Sequence, residues 1–471
     1  MATRVAVLPL LLTVLALLPA EPQGPFDARS YQPATGVELD FPLAGALIEP
    51  LLAPGMALAG EPDVRVATCS TLVWLLLLAG GAALYRHWRP ERRLEAAALP
   101  AVLRASFLAA GLFLAYIAFT LLVPLPGWSL KVTDPDLIVA DLQTHTLYSH
   151  DGLVTPAQNL ALHRARGFDV VAFTEHNNPA GAEAATAYAH NDATAPYAIV
   201  GTEVREPGQA FVLALGWLPT ERKWTPQWLH DLDRKPVVAL AWRVSVTDVH
   251  RLAAAGLSGF EIANGGHPNI PLPVREAILS EAQQRNLVLV ASSDWHGWSG
   301  FWRTWTTIRT PGGGQLPRAE QAREVIKALQ QRRSDDIQPV VAGYLGPPSL
   351  LQTLFAPASA LLRYGMELSP LRVVAWWLWS GVFLLLWKIL QRNELRPGAI
   401  FSAAALGVFG TGLAVQGGRL LSLTLPGMTA GATLTEVGLW GVTLGGVALL
   451  AAAFTLIREL RLRVRKIRTS G

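Results

Sequence analysis

Nine of the ten histidines in this chain fall between positions 145 and 296, and carboxylates recur beside them. Gln143 and His145 come first, then His150 and Asp151, then Glu175 and His176, then Glu203, and finally Asp294 and His296. Imidazole and carboxylate together suit Zn, Mn or Fe, and such ions can convert bound water to hydroxide near neutral pH. A single histidine of this kind is more often a structural hydrogen-bonder than a ligand; the repetition reverses that. Cys69 is the one cysteine, so neither an intrachain disulfide nor a thiolate metal site is available.

The elements that must position these residues are legible around them. Segments rich in β-branched and apolar residues predict strands over 137–141, 169–174, 197–202, 210–216, 236–241, 259–263 and 287–291. Helices are expected over 155–166, opened by Pro156, and over 180–191, 246–255, 273–285 and 318–332. This alternation predicts an α/β domain with mostly parallel strands. The candidate ligands then sit at the C-terminal ends of successive strands, where such domains keep their sites.

Four motifs in order, DLQTHTLYSHDG (141–152), VVAFTEHNN (170–178), GTEVR (201–205) and ASSDWHG (291–297), resemble those of the PHP (polymerase and histidinol phosphatase) family. The resemblance covers about 135–310. It implies a distorted (βα)7 barrel holding up to three metals, in a family of mostly phosphoesterases. Carried over residue by residue, it implies metal ligation by His145, by Asp151 or the adjacent His150, by His176, by the bridging Glu203, and by Asp294 and His296. Three positions depart from the pattern. Gln143 replaces the first histidine of the first motif, Phe211 replaces a second, and Trp242 replaces the histidine after the strand PVVALA. These losses cluster around two of the three metals. The implied outcome is one or two divalent ions (Mn, Zn or Fe): Asp151 or His150 with His176 and His296 intact, and His145, Glu203 and Asp294 as a partial second site. His267 is either a replacement ligand or a loop histidine.

For hydrolysis of a phosphoester, Glu175 and Glu203 are the expected proton-handling carboxylates, and Arg243 and Arg303 the expected phosphate-binding cations. The run 294–306, DWHGWSGFWRTWT, holds four tryptophans. They read either as a wall around substrate or as a lid against a bilayer, where tryptophan favours the interface.

Uncharged runs at 66–85, 105–130, 397–418 and 437–457 each reach the roughly 20 residues that cross hydrocarbon. The predicted spans are 66–85, 105–128, 373–390, 398–417 and 437–457, with 5–20 either a further span or a signal peptide. Residues 342–362 carry Pro347, Pro348 and Pro357 and read as lying on the surface rather than spanning. Basic residues concentrate in 86–104, 388–396 and the tail beyond 457, whereas 21–65 is acidic. The positive-inside rule then places those segments in the cytoplasm. The sequence thus predicts a multi-pass protein of the cytoplasmic (inner) membrane, with membrane regions 1–130 and 346–471 flanking an extracytoplasmic domain 131–345. A pI near 9.3 is explained by flanks facing anionic lipid, and no nucleic-acid partner is expected. The expected partners are the lipid bilayer and a lipid-linked or envelope-derived phosphoester, hydrolysed by a membrane-anchored enzyme. The rival expectation is a catalytically degenerate domain that binds a ligand and signals through its helices.

Overall fold

The computed structural model of the chain describes residues 2–18, 24–59, 61, 63–87, 98–205, 210–216, 238–267, 270–300, 303–343 and 349–470. The strands among them are β1 (Phe26–Asp27), β2 (Val37–Asp40), β3 (Ser129–Val132), β4 (Leu137–Thr144), β5 (Val170–Phe173), β6 (Tyr197–Arg205), β7 (Phe211–Leu215), β8 (Val238–Trp242), β9 (Gly259–Asn264), β10 (Val288–Ser292), β11 (Thr304–Arg309) and β12 (Ile337–Val341). Ten form one sheet in the order β1-β12-β11-β4-β5-β6-β7-β8-β9-β10, and β2 pairs with β3.

The seven strands expected from sequence are present as β4 to β10, but the sheet is not mostly parallel. β4-β5, β5-β6, β8-β9 and β9-β10 are parallel, while β6-β7, β7-β8, β11-β4, β11-β12 and β1-β12 are antiparallel. For β6 and β7 the reason is chain length. Only residues 206–210 separate them, and a parallel return needs a crossover of about a dozen residues or more.

The sheet curls into a half-barrel. Helix Arg318–Gln330 packs Ala322, Val325, Ala328 and Leu329 against inward residues such as Ile138, Val170, Leu213, Leu240 and Val290. The other face of the sheet is covered by helices that include Ala180–Asn191, Val246–Ala254 and Leu272–Arg285. Continuous burial along β4, β5, β8, β9 and β10 is what strands covered on both faces require. The helices over the sheet start where local chemistry dictates. Thr155 and Gln158 form a reciprocal capping box ahead of Pro156–Ala165, and Ser245 and Asp248 do so ahead of Val246–Ala254.

Between β10 and β11, threonine side chains bridge the strands. Thr306 Oγ1 accepts from Ala291 N (2.8 Å) and donates to Ala291 O (2.7 Å), and Thr304 Oγ1 donates to Ser292 O (2.8 Å). The loop after β10 is stitched to the loop after β4 by Asp294 N to Gln143 O and His145 N to Trp295 O, both 2.9 Å. This stitching brings the last motif against the first.

Five helices among the described residues are long and apolar enough to cross a membrane: Val64–Tyr85, Leu99–Leu122, Pro370–Arg392, Pro397–Ser422 and Gly431–Arg465. Helix Ala2–Leu17, at 16 residues, is shorter and packs Leu12 and Leu15 against Ala53, Tyr364 and Leu368. Residues 349–366 hold two short helices, Leu350–Leu354 and Ala356–Met366, rather than a span.

Segment 21–65, read from sequence only as acidic, contains an apolar helix, Leu43–Ala59, and β1 and β2. β1 extends the large sheet, so the α/β domain draws on residues well before 131. The arginines at 89, 92 and 93 and the tryptophans at 217, 224, 228 and 302 lie outside the described residues.

Candidate metal centre

Three loops converge at one end of the sheet. The loop after β4 carries His145, His150 and Asp151; the residues after β5 include Glu175 and His176; the loop after β10 carries Asp294 and His296. Glu203 enters from β6, tied by a backbone bridge to His176. The imidazoles of His145 and His296 stack at 4.1 Å between ring centres, and those of His145 and His176 at 4.5 Å. His145, Glu203 and Asp294 form one set whose donor atoms all lie within 4.8 Å of one another, as do His145, His176 and His296, and His150, Asp151 and His176. Asp151 Oδ1 stands 3.5 Å from both His176 Nε2 and His296 Nε2.

Hydrogen bonding sets which nitrogens face the centre. Ser149 Oγ donates to Glu175 Oε2 (2.6 Å) and therefore accepts from His145 Nδ1 (3.0 Å) and from His176 N (3.1 Å). His145 Nε2 is then turned toward Glu203 Oε2 at 3.1 Å and Asp294 Oδ1 at 3.2 Å. His296 Nδ1 donates to Asp294 O (2.8 Å), which leaves its Nε2 free to face Asp151. An imidazole whose far nitrogen is held this way is oriented for a cation.

The cluster fits a metal on one observation. His145 Nε2, Asp294 Oδ1 and Asp151 Oδ1 are buried atoms that have no hydrogen-bond partner among the described residues, although uncompensated buried polar groups are costly. His145 Nε2 and Asp294 Oδ1 face each other at 3.2 Å, and Asp151 Oδ1 faces His176 and His296 beside them.

The electrostatics agree. Burial opposes a charge on His145, but Asp294 and Glu203 outweigh it and hold its proton well above the ordinary histidine range. Burial likewise raises Asp151, yet His176, His296 and His150 win and keep it far below the usual carboxylate range. Burial and the neighbouring His145 pull His296 down to about 4, against Asp294 and Asp151. The spot between the carboxylates calls for positive charge, and His296 offers a neutral nitrogen.

The departures from the family pattern form a hydrogen-bond network of their own. Trp242 Nε1 donates to Glu203 Oε1 (2.9 Å), and Gln143 Nε2 donates to Glu203 Oε2 (3.2 Å). Gln143 Oε1 accepts from Asn264 Nδ2 (3.1 Å), which also reaches Glu261 Oε2 (2.9 Å). Both oxygens of Glu203 thus accept from donors on this side of the cluster. Burial, with the charges of Asp294 and Glu203, keeps Glu261 protonated well above the carboxylate range, despite Ser292 and Asn264.

Several expected roles change. Glu175 is not placed to handle protons: Thr146 N, Thr146 Oγ1 and Ser149 Oγ occupy both its oxygens, so it positions Ser149 and through it His145. Arg303 is not at the centre; it is buried beside Glu367 (3.6 Å) and the Trp128 ring. Arg243 is exposed and lines a cavity of about 640 Å³ with Trp242, Glu261, Asn264 and His267. His267 lies against Trp242 (5.2 Å between rings) and belongs to none of the ligand sets. His150 is exposed at the rim. Of the tryptophans in 294–306, Trp295 and Trp305 are core, and Trp298 lies at the rim, donating to Asp151 O (3.3 Å). Sequence reading missed Ser149, Glu261 and Asn264. For Glu261 a signal existed, a carboxylate inside the apolar run GFEIAN.

Ser149→Ala should remove the acceptor from His145 Nδ1 while sparing every ligand atom. Metal affinity is expected to fall about 10–100-fold, read by competition with a fluorescent chelator. An unchanged affinity would show that Ser149 does not orient the ring.

No protein-family model and no curated protein sequence matches the chain. Part of it is similar to solved structures. One is a Bifidobacterium adolescentis protein provisionally described as a metal-dependent phosphoesterase, at 18% identity over 33% of this chain and 87% of that one (TM-score 0.28). Another is an amidohydrolase from Chromobacterium violaceum, at 17% identity over 33% and 87% (TM-score 0.27). A third is PsfC from Pseudomonas syringae, at 15% identity over 50% and 100% (TM-score 0.31).

Proposed function

We propose that this chain is a membrane-anchored, metal-dependent phosphoester hydrolase of PHP type, with a reduced centre of one or two divalent ions and its α/β domain on the extracytoplasmic side. The curled sheet is read as a distorted barrel of that family. The observation that carries the reading is that His145 Nε2, Asp294 Oδ1 and Asp151 Oδ1 are all buried and unpartnered within neighbouring ligand sets, in motifs whose order resembles the family's. His145, Glu203 and Asp294 would hold one ion, and Asp151, His176 and His296 the other, with His150 at the rim. A divalent ion there supplies Lewis acidity toward a phosphoryl oxygen and lowers the pKa of water. Trp242 and Gln143 fix the Glu203 carboxylate, and the exposed Arg243, lining the cavity beside Trp242, offers a cation for a phosphate.

The placement of the basic segments supports the sidedness. Residues 393–396 and Arg458, Arg461, Arg463 and Arg465 would fall on the membrane face opposite the domain if the five long helices all span.

The test is a phosphoesterase screen of the full-length protein loaded with Mn, Zn or Fe, using monoester and diester substrates. Turnover that disappears in His296→Ala is expected. Metal-loaded protein inert on every ester would sink the hydrolase reading. It would favour a ligand-binding module coupled to the helices, a reading suited by the hydrogen bonds from residues 429–433 to the loop that bears Asp151.

A further inference from the structure

The loop that carries His150 and Asp151 rests on the ends of membrane helices. Leu147 O accepts from Thr429 N and Ala430 N (both 3.1 Å), Tyr148 O from Thr429 Oγ1 (2.5 Å), and His150 O from Thr433 Oγ1 (2.6 Å). Residues 423–430 form the turn between Pro397–Ser422 and Gly431–Arg465, and Thr433 lies in the first turn of the latter. Leu147 and Leu153, at 0% and 1% exposure, insert among Leu122, Leu413, Leu420 and Leu434. The loop that carries His296 does the same on the other side, with Ser299 N donating to Leu121 O (2.7 Å) in the last turn of Leu99–Leu122.

These contacts set a depth. Thr433 is about 3 Å along its helix from Gly431 at roughly 1.5 Å per residue. The headgroup layer on each side of a bilayer is roughly 5–8 Å thick. The metal loops therefore lie in that layer when the helices span. The edge they present is open: the side chains of His150 and Asp151 are 72% and 41% exposed, and Trp298 is 36% exposed beside them. Arg419, in the last turn of Pro397–Ser422, bonds the neutral amides of Gln416 and Gln158 and has no carboxylate partner among the described residues. Its charge is available to an anion at the same level.

Resting on the hydrolase reading above, we infer that the substrate is a phosphoester borne by a lipid, taken from the headgroup layer of the leaflet on which the domain sits. A phosphate held there reaches the open edge of the cluster without leaving the membrane, and Arg419 complements its charge. Confinement to the surface also raises its local concentration.

The experiment uses the full chain in nanodiscs, with two readouts. Spin labels on Trp298→Cys, or on His150→Cys should the first not fold, in a Cys69→Ser background, report depth by collision with oxygen and with a water-soluble nickel chelate. A label at Arg323→Cys, on helix Arg318–Gln330, is the water-exposed control. Headgroup depth is expected for 298 or 150, and a chelate accessibility equal to that at 323 would overturn the inference. The Mn-loaded protein is then given phosphatidic acid and phosphatidylglycerol in the disc, or nitrophenyl phosphate and bis-nitrophenyl phosphate in solution. At equal bulk phosphate, lipids should be cleaved roughly tenfold faster or more, and Arg419→Gln should raise the apparent KM for lipid alone. Cleavage of the soluble esters without the lipids overturns the lipid assignment and leaves the hydrolase standing. Cleavage of neither, with metal bound, overturns both.

Discussion

His176→Ala or His296→Ala, in the purified full-length protein, is expected to lower bound metal from one or two equivalents to about a tenth or less, read by elemental mass spectrometry. Loss of a mere supporting partner costs a metal site about 10–100-fold in affinity, and these substitutions remove a ligand. His296→Ala deletes the neutral nitrogen that faces Asp151. His176→Ala deletes a ring that touches both Asp151 and Glu203. Trp242→Ala is the discriminating control. It leaves Glu203 Oε1 without its donor, at a cost of about 1–3 kcal/mol, but takes away no candidate ligand, so metal content should hold. Equal metal in wild type and His176→Ala would refute the assignment. The full chain is the right material, because β1 pairs with β12 and residues 429–433 hold the metal loop; a fragment 131–345 would lack both.

Arg372→Met is expected to destabilise the folded protein by about 3–5 kcal/mol, because it strands a buried carboxylate. Arg372 is 2% exposed and Glu49 0%. Arg372 Nε reaches Glu49 Oε2 at 2.6 Å, with a second bond from its terminal nitrogen to Oε1. The guanidinium also lies over the rings of Trp128, Tyr364 and Phe41. The pair ties Pro370–Arg392 to Leu43–Ala59 at the base of the α/β domain. The double variant Arg372→Met with Glu49→Gln removes the stranded charge and should recover most of the loss, as seen by thermal unfolding in detergent. A double variant as unstable as the single one would mean that ring packing, not charge, holds this joint.

Much of the domain was legible because buried strands leave continuous apolar runs, and seven such runs lie at β4 to β10. The short β1, β2, β3, β11 and β12 were missed. β11, with its three threonines, and β12, with Gln338 and Pro339, lack that signature and are held by pairing with strands distant in sequence. The helix Leu43–Ala59 was hidden by Glu49, whose charge is neutralised by a residue 323 positions away.

The candidate ligands themselves came from the sequence, since metal chemistry restricts which side chains can serve and the motif order restricts where they stand. Gln143 and Trp242 were recognisable as replacements for the same reason. Their work was not: only the folded chain shows that both donate to Glu203, because that bond joins residues 39 to 60 positions apart. Tertiary structure also decided that Glu175 is bonded to Thr146 and Ser149, that Arg303 is buried beside Glu367 and Trp128, and that the loops bearing the candidate ligands sit on the helix ends. A residue's type sets the chemistry open to it, and its partner in space sets which part of that chemistry is left.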